Sequence, residues 1–504
     1  MKKFYITTPI YYANDQPHIG HAYTTIVADV LARYHRLAGD EVFFLTGTDE
    51  HGSKVAESAE AAGKSPQEFC DEISAHYQTL WDRLDISNDD FIRTTSNYHK
   101  KGVERFLSKL HEVGAVYEGQ YEGLYCTGCE NFITEKELED GKCPDHNKEP
   151  QVVKEKNYFF KLKEYLPKVK ELLDSGGLKI LPESRHNEVL GLLRQGLEDF
   201  SISRESVKWG IEIPFNKKQV TYVWVEALQN YITALGYGDE GENFKKFWPA
   251  DIHLMAKDII KFHALYWPAM LIAAGLAVPK VIFAHGFFTI NGHKMSKSLG
   301  NAIDPDALID ELGSDAVRYL LLSQFPFGAD GDIKAGSFAI QYNSDLANSI
   351  GNLTSRVLAM TEKYYDGKVP EKDFEFSDEV AGIWRQYKKA MKEFQIDKAV
   401  EIIKKLNAFC DGYVERQKPW ELAKKDPEQL AKVIYNLLEA IRHLGLMIYP
   451  IMPQTAEKIL ASLGQTDWQK TSLKELQDWG GLELGVSVSK GDSLFPRLGG
   501  KEKE

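Results

Sequence analysis

At 504 residues the chain is long enough for about three domains, and 43% hydrophobic with 27% charged content excludes disordered and fibrous classes. No apolar run is long enough to span a bilayer and the opening MKKFYITTP lacks the apolar stretch of a secretory leader, so a cytoplasmic protein is expected. The net charge of −13 argues against a globally basic nucleic-acid binder; residues 341–504 carry 24 Lys+Arg against 25 Asp+Glu, so the excess acid lies upstream and a nucleic-acid partner would need local basic patches.

In chain order, the first element is a short strand, Phe4-Tyr5-Ile6-Thr7-Thr8, rich in aromatic and β-branched residues and expected to close at Pro9. A polar turn, Ala13-Asn14-Asp15-Gln16-Pro17, leads into His18-Ile19-Gly20-His21, after which Ile26, Val30, Leu31, Tyr34 and Leu37 recur at helical steps. Free N–H groups and the positive end of the helix dipole make such a start an anion site, and Gly20 lets a ligand approach the backbone. Two histidines three residues apart add donors suited to phosphate oxygens; taken alone, one His near a helix start reads first as a cap, a reading that loses once a matching partner is found downstream.

The next apolar run, from Glu41 to Gly47, reads as a buried parallel strand beside the first. It runs into Thr48-Asp49-Glu50-His51-Gly52, polar groups at a strand's C-terminal end, where doubly wound sheets bind ligands. There Asp49 is placed either to meet a ligand amine or to cap a helix starting near Ser53.

From residue 115 to about 200 the α/β alternation is interrupted. Of the five cysteines, Cys70 and Cys410 stand alone in helical patterns and read as buried small hydrophobes. The other three form Cys126-x2-Cys129-x13-Cys143-x2-His146, three sulfurs and one nitrogen from two tight turns, the tetrahedral set that structural zinc prefers. Four protein ligands leave no open position, so one zinc that holds a small knuckle together is expected.

The α/β pattern is expected to resume with strands at Gln219 to Glu226, Asp251 to Met255 and Lys280 to His285, with a helix over Ile259 to Ala274. Trp224, Tyr231, Phe262 and Trp267 supply more aromatic bulk than one buried sheet edge needs, although an aromatic stripe at helical spacing is usually core. A loop follows, Lys294-Met295-Ser296-Lys297-Ser298 between Gly292 and Gly300, whose two lysines are suited to folding over a polyphosphate. From about residue 340 the periodicity is helical over 342–364, 378–394, 396–415 and 428–448, which predicts an appended bundle; the charged tail 501–504 is expected to be disordered.

His18-Ile19-Gly20-His21 near the N-terminus together with Lys294-Met295-Ser296-Lys297-Ser298 resembles the class I aminoacyl-tRNA synthetases. Within that class the resemblance narrows to the methionyl-tRNA synthetase family and covers nearly the whole chain. It is carried by Thr8 to Asn14, by Tyr222-Val223-Trp224, by Lys257-Asp258-Ile259 before Phe262-His263, by the knuckle, and by Asn352 to Arg356 with Pro419-Trp420. Phe200 and Leu228 depart from the tryptophan and proline found there in some members, which implies a slightly reshaped pocket.

The resemblance implies an α/β fold: a Rossmann-like parallel sheet split by a zinc-containing connective insertion and followed by an all-α anticodon-binding helical bundle. Its divisions would be 1–114 and 211–285 for the catalytic halves, 115–210 for the insertion, 286–340 for the lysine loop and stem contacts, and 341–504 for the bundle. Implied for methionine are Ile10, Tyr12, Asp49, Trp224, Ala227, Tyr231, Ile259 and His263, with Asp49 on the ammonium and Tyr231 and His263 near the sulfur. His18, Gly20, His21 and Lys297 would bind ATP with Mg²⁺, with His18, His21, Lys294 and Lys297 acting on its phosphates, and Asn352, Arg356 and Trp420 would read the anticodon of tRNA(Met). No C-terminal β-barrel extension of the kind that dimerises some relatives is present, so a monomer is expected. Leucine-, isoleucine- and valine-specific members carry a large editing insertion, and the cysteinyl enzyme uses zinc at its substrate. A catalytically silent tRNA-binding scaffold of the same fold is the remaining alternative, and the intact motifs oppose it.

Overall fold

The computed structural model describes residues 2–499 apart from 134, 136, 137, 145–147, 240, 295–302 and 335. Its central layer is a six-stranded sheet. The strands are β1 (Lys3–Tyr12), β2 (Glu41–Asp49), β3 (Asp90–Arg93), β4 (Lys179–Leu181), β5 (Ile252–Ala256) and β6 (Val281–His285), ordered β3-β2-β1-β5-β6-β4. Every pairing is parallel. Strand order reverses between β1 and β5, and ligands of such sheets bind beyond the carboxyl ends of the strands at that point.

The strand β1 runs past Pro9 to Tyr12, longer than its sequence suggests. Its register with β2 shifts between Thr7 and Ile10, so Pro9 falls where the ladder is already interrupted and its missing N–H costs no bond. The extension carries Tyr12 alongside Asp49 at the end of β2. Helix α1 (Ile19–Leu37) follows and buries most of its length against the sheet, from Ile19 through Tyr34.

Gln219 to Glu226 is not a strand of this sheet. Asn216–Thr221 pairs antiparallel with Ser203–Arg204 and Glu212–Ile213 in a separate small sheet, and Val223–Ala227 is a short helix. The β-branched and aromatic run satisfies strand propensity, but its partners and the turn at Tyr222 decide its place. The parallel position belongs instead to β4, three residues whose period is too short to read and which lie inside the stretch assigned by sequence to the insertion. The rest of that stretch is a long antiparallel ribbon, Val116–Cys126 with Gln151–Phe160, flanked by Asn131–Ile133 and Phe200–Ser201. The expected helix over Ile259 to Ala274 is present as three joined helical segments, Lys257–Ile259, Phe262–Tyr266 and Trp267–Ala273.

The C-terminal part is helical as its periodicity predicts. Tyr342–Gly351 runs directly into Asn352–Tyr365 and is followed by Ser377–Lys392, Ile396–Gln417 and Pro427–Ile448. Shorter helices, among them Pro419–Lys425 and Pro453–Ser462, belong to the same part. One apolar core is continuous from α1 through Ser314–Ser323 into this bundle. A buried ion cluster reinforces the join: the Arg318 guanidinium, fully buried, donates to Asp29 of α1 at 2.6 Å and to the carbonyls of Leu84, Pro450 and Ile451 at 3.1, 2.9 and 2.7 Å. Burial alone would raise the Asp29 carboxyl; Arg318 and Arg33 hold it below the usual range. Among the described residues, no helix is long and apolar enough to cross a membrane.

Candidate active site and metal knuckle

The start of α1 is capped by the two histidines themselves. Nδ1 of His18 accepts the Gly20 N–H at 3.0 Å and Nδ1 of His21 accepts the His18 N–H at 3.2 Å, a reciprocal cap in which the rings stack 3.8 Å apart. Because each Nδ1 accepts, the proton of each neutral ring lies on Nε2. Capping and phosphate binding are therefore compatible, since they use opposite edges of the ring. In the loop from Lys294 to Ser298, the backbone of Lys294 pairs antiparallel with Thr289. Lys297, with Met295, Ser296 and Ser298, lies outside the described residues.

Asp49 is not a helix cap. Helix Ser53–Ala61 begins behind Gly52, which has φ of 102° and offers no side-chain cap, while the Asp49 carboxylate is buried with Oδ1 lacking any hydrogen-bond partner. Burial first, then the nearby carboxylates of Glu226 and Glu130, push its carboxyl well above the usual range. A buried carboxylate with one oxygen unpaired, set among other carboxylates, is a place where a cation is stabilising.

Tyr12 lies beside Asp49, and most of the other residues expected in the pocket belong to one core. Ile10, Tyr12, Trp224 and Ile259 are half-buried at the margin of one aromatic-rich core that contains Tyr231 and Phe262, and Ala227 is buried on the short helix beside them. Trp224 stacks on Phe262 with ring centres 4.1 Å apart, while Tyr231 stacks on His253 at 4.0 Å. His263 is buried and its pKa is lowered to about 4 by burial, so it is a neutral ring at physiological pH.

Two acidic residues that the sequence reading passed over belong to the same region. Glu226, completely buried, lies 2.8 Å from Nδ1 of His51 and, although burial opposes it, the imidazoles of His51 and His99 hold its carboxyl below the usual range. Its signal was a carboxylate inside the apolar run Tyr222 to Leu228. Glu130, next to Cys129, accepts the Tyr12 hydroxyl at 2.9 Å; nothing in the cysteine spacing marks it.

The sulfurs of Cys126, Cys129 and Cys143 lie within 4.8 Å of one another, with Cys129 and Cys143 at 3.5 Å. That spacing and donor set fit a metal ion that takes thiolates at about 2.3 Å. Burial and the neighbouring sulfurs push the Cys129 thiol up, a crowding that a cation would relieve. His146, the expected fourth ligand, lies outside the described residues. Cys70 and Cys410 are buried, as expected.

Far from this region, Trp420 is exposed on the first turn of Pro419–Lys425, so it is not a core residue. The Arg356 guanidinium lies 5.5 Å from the centre of its ring and pairs with Glu415 at 2.9 Å. Asn352 is exposed one turn before Arg356 on the same helix.

Two family profiles match the chain. One, described as tRNA synthetases class I (M), matches residues 4–151 and 136–358; the other, the anticodon binding domain of methionyl tRNA ligase, matches residues 365–504. The methionine–tRNA ligase of Caldanaerobacter subterraneus is 46% identical over 99% of the chain and 79% of its own length. That of Thermotoga maritima is 45% identical over 99% of the chain and 81% of its own length. A solved Mycobacterium tuberculosis methionyl-tRNA synthetase in complex with methionyl-adenylate superposes with a TM-score of 0.93 at 39% identity, covering 99% of this chain and 100% of that one.

Proposed function

Since the chain belongs to the methionyl-tRNA synthetase family of class I, we infer that it activates L-methionine with ATP and transfers it to the 3′-terminal adenosine of tRNA(Met). The observation that carries the amino-acid half of this reading is the buried Asp49 oxygen without a partner, set beside Tyr12 at the strand ends where β1 leads to the histidine-capped helix.

Asp49 accepts the substrate ammonium, which restores the charge balance that its neighbouring carboxylates upset. The side chain lies among Ile10, Tyr12, Trp224, Ala227, Tyr231, Ile259 and His263. The neutral rings of Tyr231 and His263 face the thioether, contacts worth roughly 0.3–1.5 kcal/mol each between sulfur and an aromatic ring. ATP lies with its phosphates at the start of α1, where His18 and His21 donate from Nε2 and Gly20 leaves room.

The methionine carboxylate attacks the α-phosphorus, forming the acyl–phosphate bond of methionyl-adenylate as the bond to pyrophosphate breaks. Charge accumulates on the leaving group, and Lys297, with Lys294, neutralises it. Positioning and electrostatics supply the rate, because no proton or covalent intermediate on the protein is needed. Mg²⁺, when bound with ATP, contributes further neutralisation of the phosphates. The terminal ribose hydroxyl of tRNA then displaces AMP from the adenylate and forms the ester. One structural zinc would be held by Cys126, Cys129, Cys143 and His146. Asn352, Arg356 and Trp420 stack and hydrogen-bond unpaired anticodon bases, as sequence-specific RNA readers do.

Pyrophosphate–ATP exchange run across the twenty amino acids tests this. Methionine alone is expected to support rapid exchange. A different preferred amino acid, or no exchange at all, would overturn the substrate or the activity respectively.

A further inference from the structure

The cysteine turn and the residues assigned to the amino-acid pocket share a set of hydrogen bonds. Three successive carbonyls of the turn after Cys126 are each held by a different side chain of the catalytic half. Lys54 Nζ reaches the Gly128 oxygen at 3.3 Å, Trp224 Nε1 donates to Cys129 O at 3.4 Å and the Tyr222 hydroxyl donates to Glu130 O at 2.6 Å.

Glu130 closes the connection with its side chain. Its backbone sits in the left-handed region with φ of 48°, which a residue other than glycine adopts rarely, and its carboxylate is buried. One oxygen accepts both the Tyr12 hydroxyl at 2.9 Å and the Lys54 N–H at 2.7 Å, and the other accepts the Tyr125 hydroxyl. Lys54 is in the first turn of Ser53–Ala61, a helix whose own N-cap, Gly52, supplies no side chain. The knuckle thus caps that helix with a carboxylate, where the helix dipole favours negative charge. The fit is tight: a Cβ on Gly52 would come within 2.6 Å of the Tyr12 hydroxyl and 2.8 Å of the Glu130 carboxylate.

We propose that Glu130 is a positioning residue through which the metal-closed knuckle sets Tyr12 and Trp224 in the methionine pocket, so that metal retention and methionine affinity are coupled. This rests on the pocket assigned above. Opening the Cys126–Cys129 turn releases the carbonyl under Trp224 and the carboxylate under Tyr12 together, and coupling of this kind is reciprocal. Methionine must then raise the protein's metal affinity by the factor through which the metal tightens methionine.

The experiment uses the full-length zinc-loaded protein. The equilibrium partition of zinc between the protein and a chromogenic chelator is measured with and without saturating methionine, and the methionine Kd by equilibrium fluorescence. In the wild type, methionine is expected to tighten zinc binding several-fold and so protect it from the chelator. Glu130→Ala is expected to keep one zinc but raise the methionine Kd about tenfold, leave ATP KM within about twofold, and lose the protection. Glu130→Gln restores both, because its oxygen still accepts from Tyr12 and Lys54 while its amide donates to the Tyr125 oxygen. A zinc affinity that ignores methionine in a wild type that binds methionine, or unchanged Kd and protection in Glu130→Ala, would overturn the proposal; the wild-type comparison decides even if the variant does not fold. A wild type that binds no methionine would instead overturn the pocket assignment.

Discussion

The hydroxyl of Tyr231 donates to Nε2 of His263 at 2.7 Å, and the direction of that bond is fixed, because Nδ1 of the same ring gives its proton to the Ile259 carbonyl at 3.0 Å. Both rings are thereby oriented before any ligand arrives. Tyr231→Phe removes the donor and leaves a buried acceptor unpaired, at about 1–3 kcal/mol. Methionine KM is expected to rise about tenfold, at ~1.4 kcal/mol per tenfold, with ATP KM nearly unchanged. Exchange kinetics at varied methionine and at varied ATP check this; an equal rise for both substrates would place Tyr231 outside the amino-acid pocket.

Removal of one knuckle ligand is expected to empty the metal site. With Cys143→Ala the remaining sulfurs, Cys126 and Cys129, and His146 cannot hold the ion as tightly, and the knuckle has little core of its own. Metal analysis of purified protein is expected to give one zinc per chain in the wild type and a large loss in the variant. Wild-type protein without zinc ends the assignment.

Trp420→Ala separates the two reactions. Stacking lost on truncation is worth about 1–3 kcal/mol per base, so tRNA aminoacylation is expected to fall by roughly one to two orders of magnitude. Methionine-dependent pyrophosphate exchange stays near wild type, because the exposed ring takes no part in the catalytic domain's core. A parallel fall in both activities would reassign Trp420 to packing.

Stability is expected to decline as pH falls from 7 to 5. Burial lowers His263, His285 and His443 to about 4 and His253 well below its usual value, against about 6.5 in the unfolded chain. Depressed folded values mean that the unfolded state binds more protons between pH 6.5 and 4. The contribution of these rings is therefore complete above pH 6.5 and is lost through that window, with a limiting slope near ~1.4 kcal/mol per pH unit for each proton. Thermal unfolding at pH 7.5, 6 and 5 measures the slope, and His285→Gln is expected to flatten it. A flat wild-type profile would mean that these imidazoles are not held neutral.

The sequence reveals elements that carry their own period. The helices of the bundle and the strands around Phe44, Leu254 and Phe283 fall where the apolar spacing puts them. It is silent where tertiary partners decide. Lys179–Leu181 is too short to announce a strand and joins the sheet only because β6 offers it an edge, while Tyr222 turns a β-rich run into a helix. Among the candidate site residues, His18, Asp49 and the cysteines stand out in the sequence because their types and spacing imply chemistry. Glu130 and Glu226 were not, since a single carboxylate acquires meaning only from the tyrosine or histidines that the fold brings to it.

Arg318 has a consequence for anyone who would treat the molecule as interchangeable parts. The two family matches meet between residues 358 and 365, an inviting place to cut or to graft a different RNA reader. Yet the guanidinium under α1 takes two of its acceptors, the carbonyls of Pro450 and Ile451, from beyond that seam. A catalytic fragment ending there would carry a buried cation stripped of two of its acceptors beneath the histidine-capped helix. A chimera built at that junction would need to import an equivalent of the Pro450–Ile451 corner, so modularity at the level of sequence stops short of modularity in mechanics.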